Sequence, residues 1–272
     1  IPLFILAAAI MNTSGISHRL IDFCQALVGW MRGALAQVNV LSHMFFAEIS
    51  GSAVAGVAAT ASIIMPAMKE RGYPGPFTAA VTSSTATLAI ILPPSIPMIL
   101  YAVMAGTSVV QMFVAGIVPG LLTGFGFMGL CYWYALRYNW PVEEIFQWGK
   151  LWRAFRKAFW ALTLPVIILG GIFGGIVTAT EGAALAVLTS LLVGGFVYRE
   201  LDWARLREAT IEGAVQTGSV MLLVASSALL GLYLTEVQLP QKIAAAMLSV
   251  TSEKWAILAI LNVFFLLIGM FL

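Results

Sequence analysis

The chain has 272 residues, of which 61% are hydrophobic and only 10% charged, with a formal net charge of +2. A soluble domain carries about 25% charged residues, so this composition is that of a polytopic membrane protein. The charges fall in short clusters between apolar runs and give no footing for a nucleic-acid partner. Cys24 and Cys131 stand isolated in apolar surroundings, without disulfide or metal spacing, and read as packing residues.

Ile1–Met11 is apolar and leads to His18, Arg19 and Asp22. The mixed pattern of Leu20–Met31 predicts an amphipathic helix lying at the membrane interface. Two apolar legs follow, Gly33–Ala47 and Val54–Ala67, joined by Glu48-Ile49-Ser50-Gly51-Ser52-Ala53. Each leg has about 15 residues and reaches roughly 22 Å as a helix, against a bilayer core of about 30 Å. Short legs meeting at a Gly/Ser tip predict a re-entrant hairpin over 33–68. Arg32 at one end, with Lys69 and Arg71 at the other, puts both ends on the cytoplasmic side.

Phe77–Met104 should cross outward, but Pro93-Pro94 interrupts it. Prolines cannot continue the hydrogen-bond ladder, so carbonyls near Ala89–Leu92 lose their partners. In lipid such carbonyls are tolerated only where they line a protein-enclosed cavity or bind something. A broken helix beside a hairpin tip is how many secondary transporters build mid-membrane sites. The uncharged turn Gly106–Gln111 reads as an outer loop, and Met112–Leu136 returns to Arg137. The inner segment beyond it carries Lys150, Arg153, Arg156 and Lys157. Trp140, Trp148, Trp152 and Trp160 predict an interface helix there.

Leu162–Val177 then goes out and Ala183–Tyr198 comes back, with Thr178-Ala179-Thr180-Glu181 between them. Arg199–Glu212 predicts a second inner amphipathic helix, Gly218–Leu234 a span, Gln241–Leu248 a short outer helix, and Trp255–Leu272 a return. This last part repeats the beginning. Leu222–Ala225 is similar in character to Leu3–Ala7, and Asn262-Val263-Phe264-Phe265 to Asn39-Val40 with Phe45-Phe46. The two copies have opposite orientation, which makes an inverted repeat.

The expected fold is therefore an all-α polytopic membrane protein, an inverted-repeat secondary transporter with a re-entrant hairpin and a broken helix. Residues 1–104 form the first repeat, 105–214 scaffold-like and interfacial helices, and 215–272 the start of the second repeat, cut before its hairpin tip. Both ends fall within apolar runs, so the chain reads as a fragment of a longer protein lacking both termini.

Ser50 and Ser52 offer hydroxyl oxygens, and the bend at Gly51 frees carbonyls, a set suited to a hard cation such as sodium. Thr85, Thr87 and Ser95, with Ser83 and Ser84, add hydroxyls on the broken helix. The half-helix starting near Ser95 presents its positive end to an anion. Any one hydroxyl more simply satisfies its own helix; the pairing of tip and break is what points to a site. Glu48 is a carboxylate at membrane depth, either functional or wetted by a vestibule. Glu181 reads as an outer-loop or N-cap carboxylate. His18 and His43 are lone histidines with no third ligand, so no metal centre is expected. The chain has no nucleotide loop and no nucleophile elbow, and an enzyme is not indicated.

The run Phe45-Phe46-Ala47-Glu48-Ile49-Ser50-Gly51-Ser52-Ala53-Val54-Ala55 resembles the large membrane subunit of TRAP transporters. So do Pro66-Ala67-Met68, Gly72-Tyr73-Pro74 and Pro93-Pro94-Ser95. Further blocks are similar, in the same order: Ile1–Ala7, Leu20–Phe23, Ala115–Gly120, Thr178–Glu181 and Gly269–Leu272. The resemblance implies a sodium-coupled, elevator-type importer of organic acids in the bacterial cytoplasmic (inner) membrane. C4-dicarboxylates, keto acids and sialic acid lie within its range. Its partners would be a small membrane subunit and a periplasmic substrate-binding protein, with membrane lipid around it and no cofactor beyond sodium as coupling ion. By that resemblance Ser50, Gly51, Ser52 and Pro93–Ser95 form one sodium site. The chain departs from the family pattern at Glu48, where Gly is frequent, and at Gly56, where Asp is. A single-component sodium/carboxylate symporter of similar fold is the alternative reading, and a structural or channel-like membrane protein a third.

Overall fold

The computed structural model describes residues 1–140, 142 and 145–271, apart from the side chains of residues 49, 50, 55, 59, 250 and 271. All regular structure among the described residues is helical. The chain divides into two compact units, Ile1–Thr217 and Gly218–Leu272.

The first unit opens with α1 (Pro2–Thr13), whose proline sits in the first turn, where no intrahelical N–H is needed. A turn of 71° leads into α2 (Ile16–Val28). Arg19 holds this corner. Its guanidinium donates to the Gly15 carbonyl at 2.8 Å, pairs with Glu200 at 2.5 Å and lies 3.9 Å over the Tyr198 ring. The Tyr198 hydroxyl donates to the Lys157 carbonyl at 3.0 Å and accepts from the Ala161 N–H at 3.2 Å.

The next elements fold back on one another. α3 (Ala34–Ser50) stops at Gly51, whose φ of +57° is the left-handed conformation glycine reaches without steric cost. The Gly51 N–H returns to the Ala47 carbonyl at 3.1 Å. α4 (Ala53–Ala61) and α5 (Ile64–Glu70) run back along α3. His43 against Thr60 and Asn39 beside Met68 mark the antiparallel register. The second leg was expected as one helix and is two. Pro66 cannot donate to the Ser62 carbonyl, and the break falls at residues 62–63.

α6 (Gly75–Ala86), α7 (Leu88–Ile91) and α8 (Ile96–Met104) form the broken helix, bent by 42° between Ile91 and Ile96. A second, unexpected interruption lies at Thr87, whose N–H bonds only three residues back, to Ser84. α9 (Val109–Arg137) has 29 residues and is about 43 Å long. Its glycines press directly on the preceding elements. A Cβ on Gly116 would stand 2.3 Å from the Ile91 carbonyl oxygen, one on Gly120 2.6 Å from Leu92, and one on Gly124 2.7 Å from the Met44 sulfur.

Trp140 does not lie on an interface helix. It is buried in the link after α9, with its ring 4.5 Å from that of Tyr73 and 4.6 Å from that of Phe77. The expected interface helix and the span after it are one element, α10 (Trp148–Phe173). No glycine or proline stands between Lys150 and Leu164, so the helix runs without interruption from charged sequence into apolar sequence. α11 (Ala179–Leu192) continues as a π turn, Val193–Val197. α12 (Trp203–Glu236) likewise merges the expected inner helix with the expected span over 34 residues. The second unit holds the end of α12 with α13 (Leu239–Val250) and α14 (Lys254–Phe271).

Among the described residues four helices are long and apolar enough to cross a membrane, or up to six if the bent pairs α1–α2 and α6–α8 each count as one span. The chain is a multi-pass membrane protein.

Candidate ion and substrate site

The hairpin tip and the break between α7 and α8 lie against each other, although about 40 residues separate them in sequence. Gly51 is buried, and a Cβ on it would stand 2.6 Å from the Pro94 carbonyl oxygen and 3.4 Å from the Ile96 nitrogen. Only a residue without a side chain permits this approach. Pro93 and Pro94, joined by a cis peptide bond, are both buried.

The prolines lack the N–H groups that would return to the Ala89 and Ile90 carbonyls. Ser95 compensates on one side: its hydroxyl donates to the Ile90 carbonyl at 2.7 Å. The same oxygen lies 3.4 Å from the Met98 N–H and so caps α8. The Pro94 carbonyl receives no backbone N–H among the described residues. At this junction the carbonyl end of α3 carries negative partial charge, and the N–H ends of α4 and α8 carry positive. A cation suits the first and an anion the second.

The expected site residues fall into two groups. Gly51, Pro93, Pro94 and Ser95 meet at the junction. Ser52 stands at the tip, half-buried, and its hydroxyl oxygen accepts from the Gln216 amide of α12 at 3.4 Å. Ser50 ends α3, and its side chain lies outside the described residues. Thr85 lies away from the junction, and Thr87 bonds within its own helix. Thr85 is fully buried, donates to the Val81 carbonyl at 2.7 Å and lies 3.1 Å from His43, about 12 Å back along α3 from Gly51. Thr87 is exposed and donates to the Ser84 carbonyl at 2.6 Å. Both hydroxyls serve their own helix first.

Glu48 lies one turn before Gly51, half-buried, with no hydrogen bond or ion pair to its carboxylate among the described residues. Glu181 is a helix cap. Its carboxylate accepts from the Thr178 N–H at 2.7 Å, while its own N–H donates to the Thr178 hydroxyl at 3.3 Å. This reciprocal pair opens α11. Cys24 and Cys131 are buried thiols, as expected.

His43 is not the lone histidine it looks in sequence. One ring nitrogen lies 2.9 Å from the Asn39 carbonyl and 3.1 Å from Thr85, and the other lies 3.2 Å from Thr60. Asn39 in turn donates to Thr82 at 2.7 Å, so a polar seam joins α3 to α4 and α6. One signal was available: Asn39 and His43 sit one helical turn apart on a single face, as do Thr78, Thr82 and Thr85. Elsewhere, a cavity of about 670 Å³ between α2 and α10 is lined by Phe23, Leu27, Leu151, Trp152 and Phe155, and offers no converging polar groups for a carboxylate.

All residues from 1 to 272 match the family described as tripartite ATP-independent periplasmic transporter, DctM component. The chain is 40% identical to the C4-dicarboxylate TRAP transporter large permease protein DctM of Pseudomonas aeruginosa, over 100% of this chain and 64% of that protein. It is 41% identical to the isethionate TRAP transporter permease protein DctMQ of Oleidesulfovibrio alaskensis, over 100% of this chain and 43% of that one. It is 38% identical to the 2,3-diketo-L-gulonate TRAP transporter large permease protein YiaN of Escherichia coli, over 99% and 64%. The chain therefore spans less than two thirds of these relatives. On the full-length family match and these identities, it belongs to the DctM component family of tripartite ATP-independent periplasmic transporters.

Proposed function

We propose that this chain is part of the large permease subunit of a sodium-coupled, binding-protein-dependent importer of organic acids in the bacterial inner membrane. The observation that carries this reading is the docking of Gly51 on the Pro94 carbonyl. It joins a carbonyl-bearing helix end and two helix N-termini at one point, where a cation and an anion can be bound side by side. Carbonyls and hydroxyls of Ser50, Ser52 and the Pro93–Ser95 segment supply oxygens for sodium. The N-termini of α4 and α8 face the acid group of the substrate.

The relatives' names give C4-dicarboxylate, isethionate and diketogulonate, all organic anions, and support an anionic substrate here. Transport follows an elevator path in this reading, with the hairpin and the broken helix moving as one body. The close packing of Gly116, Gly120 and Gly124 favours counting α9 with that moving body. The remaining scaffold-like helices are then α10 and α11. A small membrane subunit and a periplasmic binding protein complete the transporter.

Uptake by the full-length protein in proteoliposomes, with its small subunit and binding protein, tests this. A requirement for both a sodium gradient and the binding protein is the expected result, with Pro94→Ala raising the sodium concentration for half-maximal rate. Uptake that needs neither sodium nor the binding protein would contradict it.

A further inference from the structure

We infer that His43 is a positioning residue that pins both legs of the hairpin to the broken helix and thereby fixes the tip; this rests on the reading of tip and break as a cation site. The imidazole is 2% exposed and makes three polar contacts. Their chemistry assigns the proton. The Asn39 carbonyl, 2.9 Å from Nδ1, can only accept, so Nδ1 carries the hydrogen. Thr85 spends its own hydrogen on the Val81 carbonyl at 2.7 Å, so at 3.1 Å its oxygen also accepts from Nδ1–H. Nε2 is left with a bare lone pair, and the donor within its reach is the Thr60 hydroxyl at 3.2 Å, which shares its one hydrogen with the Gly56 carbonyl at 2.9 Å. One nitrogen ties α3 to α6 and the other ties α3 to α4. No other side chain among the described residues is hydrogen-bonded to both α4 and α6.

The consequence reaches the tip because a binding constellation must be held to within about 0.5 Å. The tip oxygens belong to the ends of α3 and α4, and those of the break lie beyond α6. A pin roughly 12 Å below the tip sets the separation of all three helices. Removing it orphans nothing. Thr60 can donate to the Gly56 carbonyl at 2.9 Å, and Thr85 keeps Val81. His43→Leu therefore folds while losing the link, which separates positioning from stability.

In the reconstituted full-length transporter, His43→Leu should raise the sodium concentration for half-maximal uptake roughly three- to tenfold, with the maximal rate unchanged. His43→Gln, which keeps an acceptor within reach of Thr60, should recover most of the loss. Nitrogen-15 spectra of histidine-labelled protein give a readout independent of transport. The imidazole signal missing from His43→Gln should be that of a neutral ring protonated at Nδ1. The inference is overturned if sodium-dependent uptake survives His43→Leu with unchanged half-saturation, or if the proton lies on Nε2. If wild-type uptake needs no sodium, the site reading fails by itself. An Nδ1 proton then still supports the pin, and an Nε2 proton removes it.

Discussion

Two helices of the first unit bury themselves in opposite ways. α10 turns Ala158, Ala161, Leu164, Ile168 and Ile172 inward, an apolar stripe with nothing to satisfy. α3 buries Gln37, Asn39, Ser42 and His43, each no more than 2% exposed. Gln37 donates across to the Met128 carbonyl of α9 at 2.9 Å, and its Oε1, like the Oδ1 of Asn39, has no partner among the described residues. Burying polar atoms without full satisfaction costs free energy that an apolar stripe avoids. The difference teaches where packing suffices and where the chain keeps polar groups despite their cost, which is along the first leg of the hairpin.

The comparison breaks most sharply at the tip itself. Gly51→Ala forces a left-handed backbone costing about 1–2 kcal/mol and drives a methyl group against the Pro94 carbonyl. Sodium-dependent uptake should fall more than tenfold, measured in proteoliposomes. Ser95→Ala comes next. It strips the Ile90 carbonyl of its hydroxyl partner, and thermal unfolding of the purified protein should show a loss of about 1–3 kcal/mol. Ser95→Thr should restore it.

On the other helix the expected outcome is reversed. Leu164→Ala removes packing only, because lipid is as apolar as leucine, and should cost about 1–2 kcal/mol of stability. The half-saturating sodium concentration should stay at the wild-type value. Thr178→Ala is the mildest. It opens the capping box of α11 for about 1 kcal/mol, and uptake should remain within about twofold of wild type.

The tip and the break were legible because their signals are local. Pro93-Pro94 cannot extend a helix wherever it stands, and Gly51 between serines marks a turn. Two long helices are not legible in composition, because a change from charged to apolar residues looks like a boundary and is none. Such a change alters which solvent surrounds the helix and leaves its backbone intact, and α10 and α12 run straight through it. His43 was missed for another reason: its partners Thr60 and Thr85 lie 17 and 42 residues away and meet it only after the hairpin closes.

The central claim is that the junction of tip and break binds sodium. It is tested most directly by thermal unfolding of the full-length protein against sodium concentration, with potassium as control. A ligand that binds only the folded state raises the midpoint in proportion to its occupancy. Sodium should raise the wild-type midpoint and potassium should not, and Ser52→Ala should need several-fold more sodium for the same rise. A Ser52→Ala curve that overlays the wild type would contradict the site.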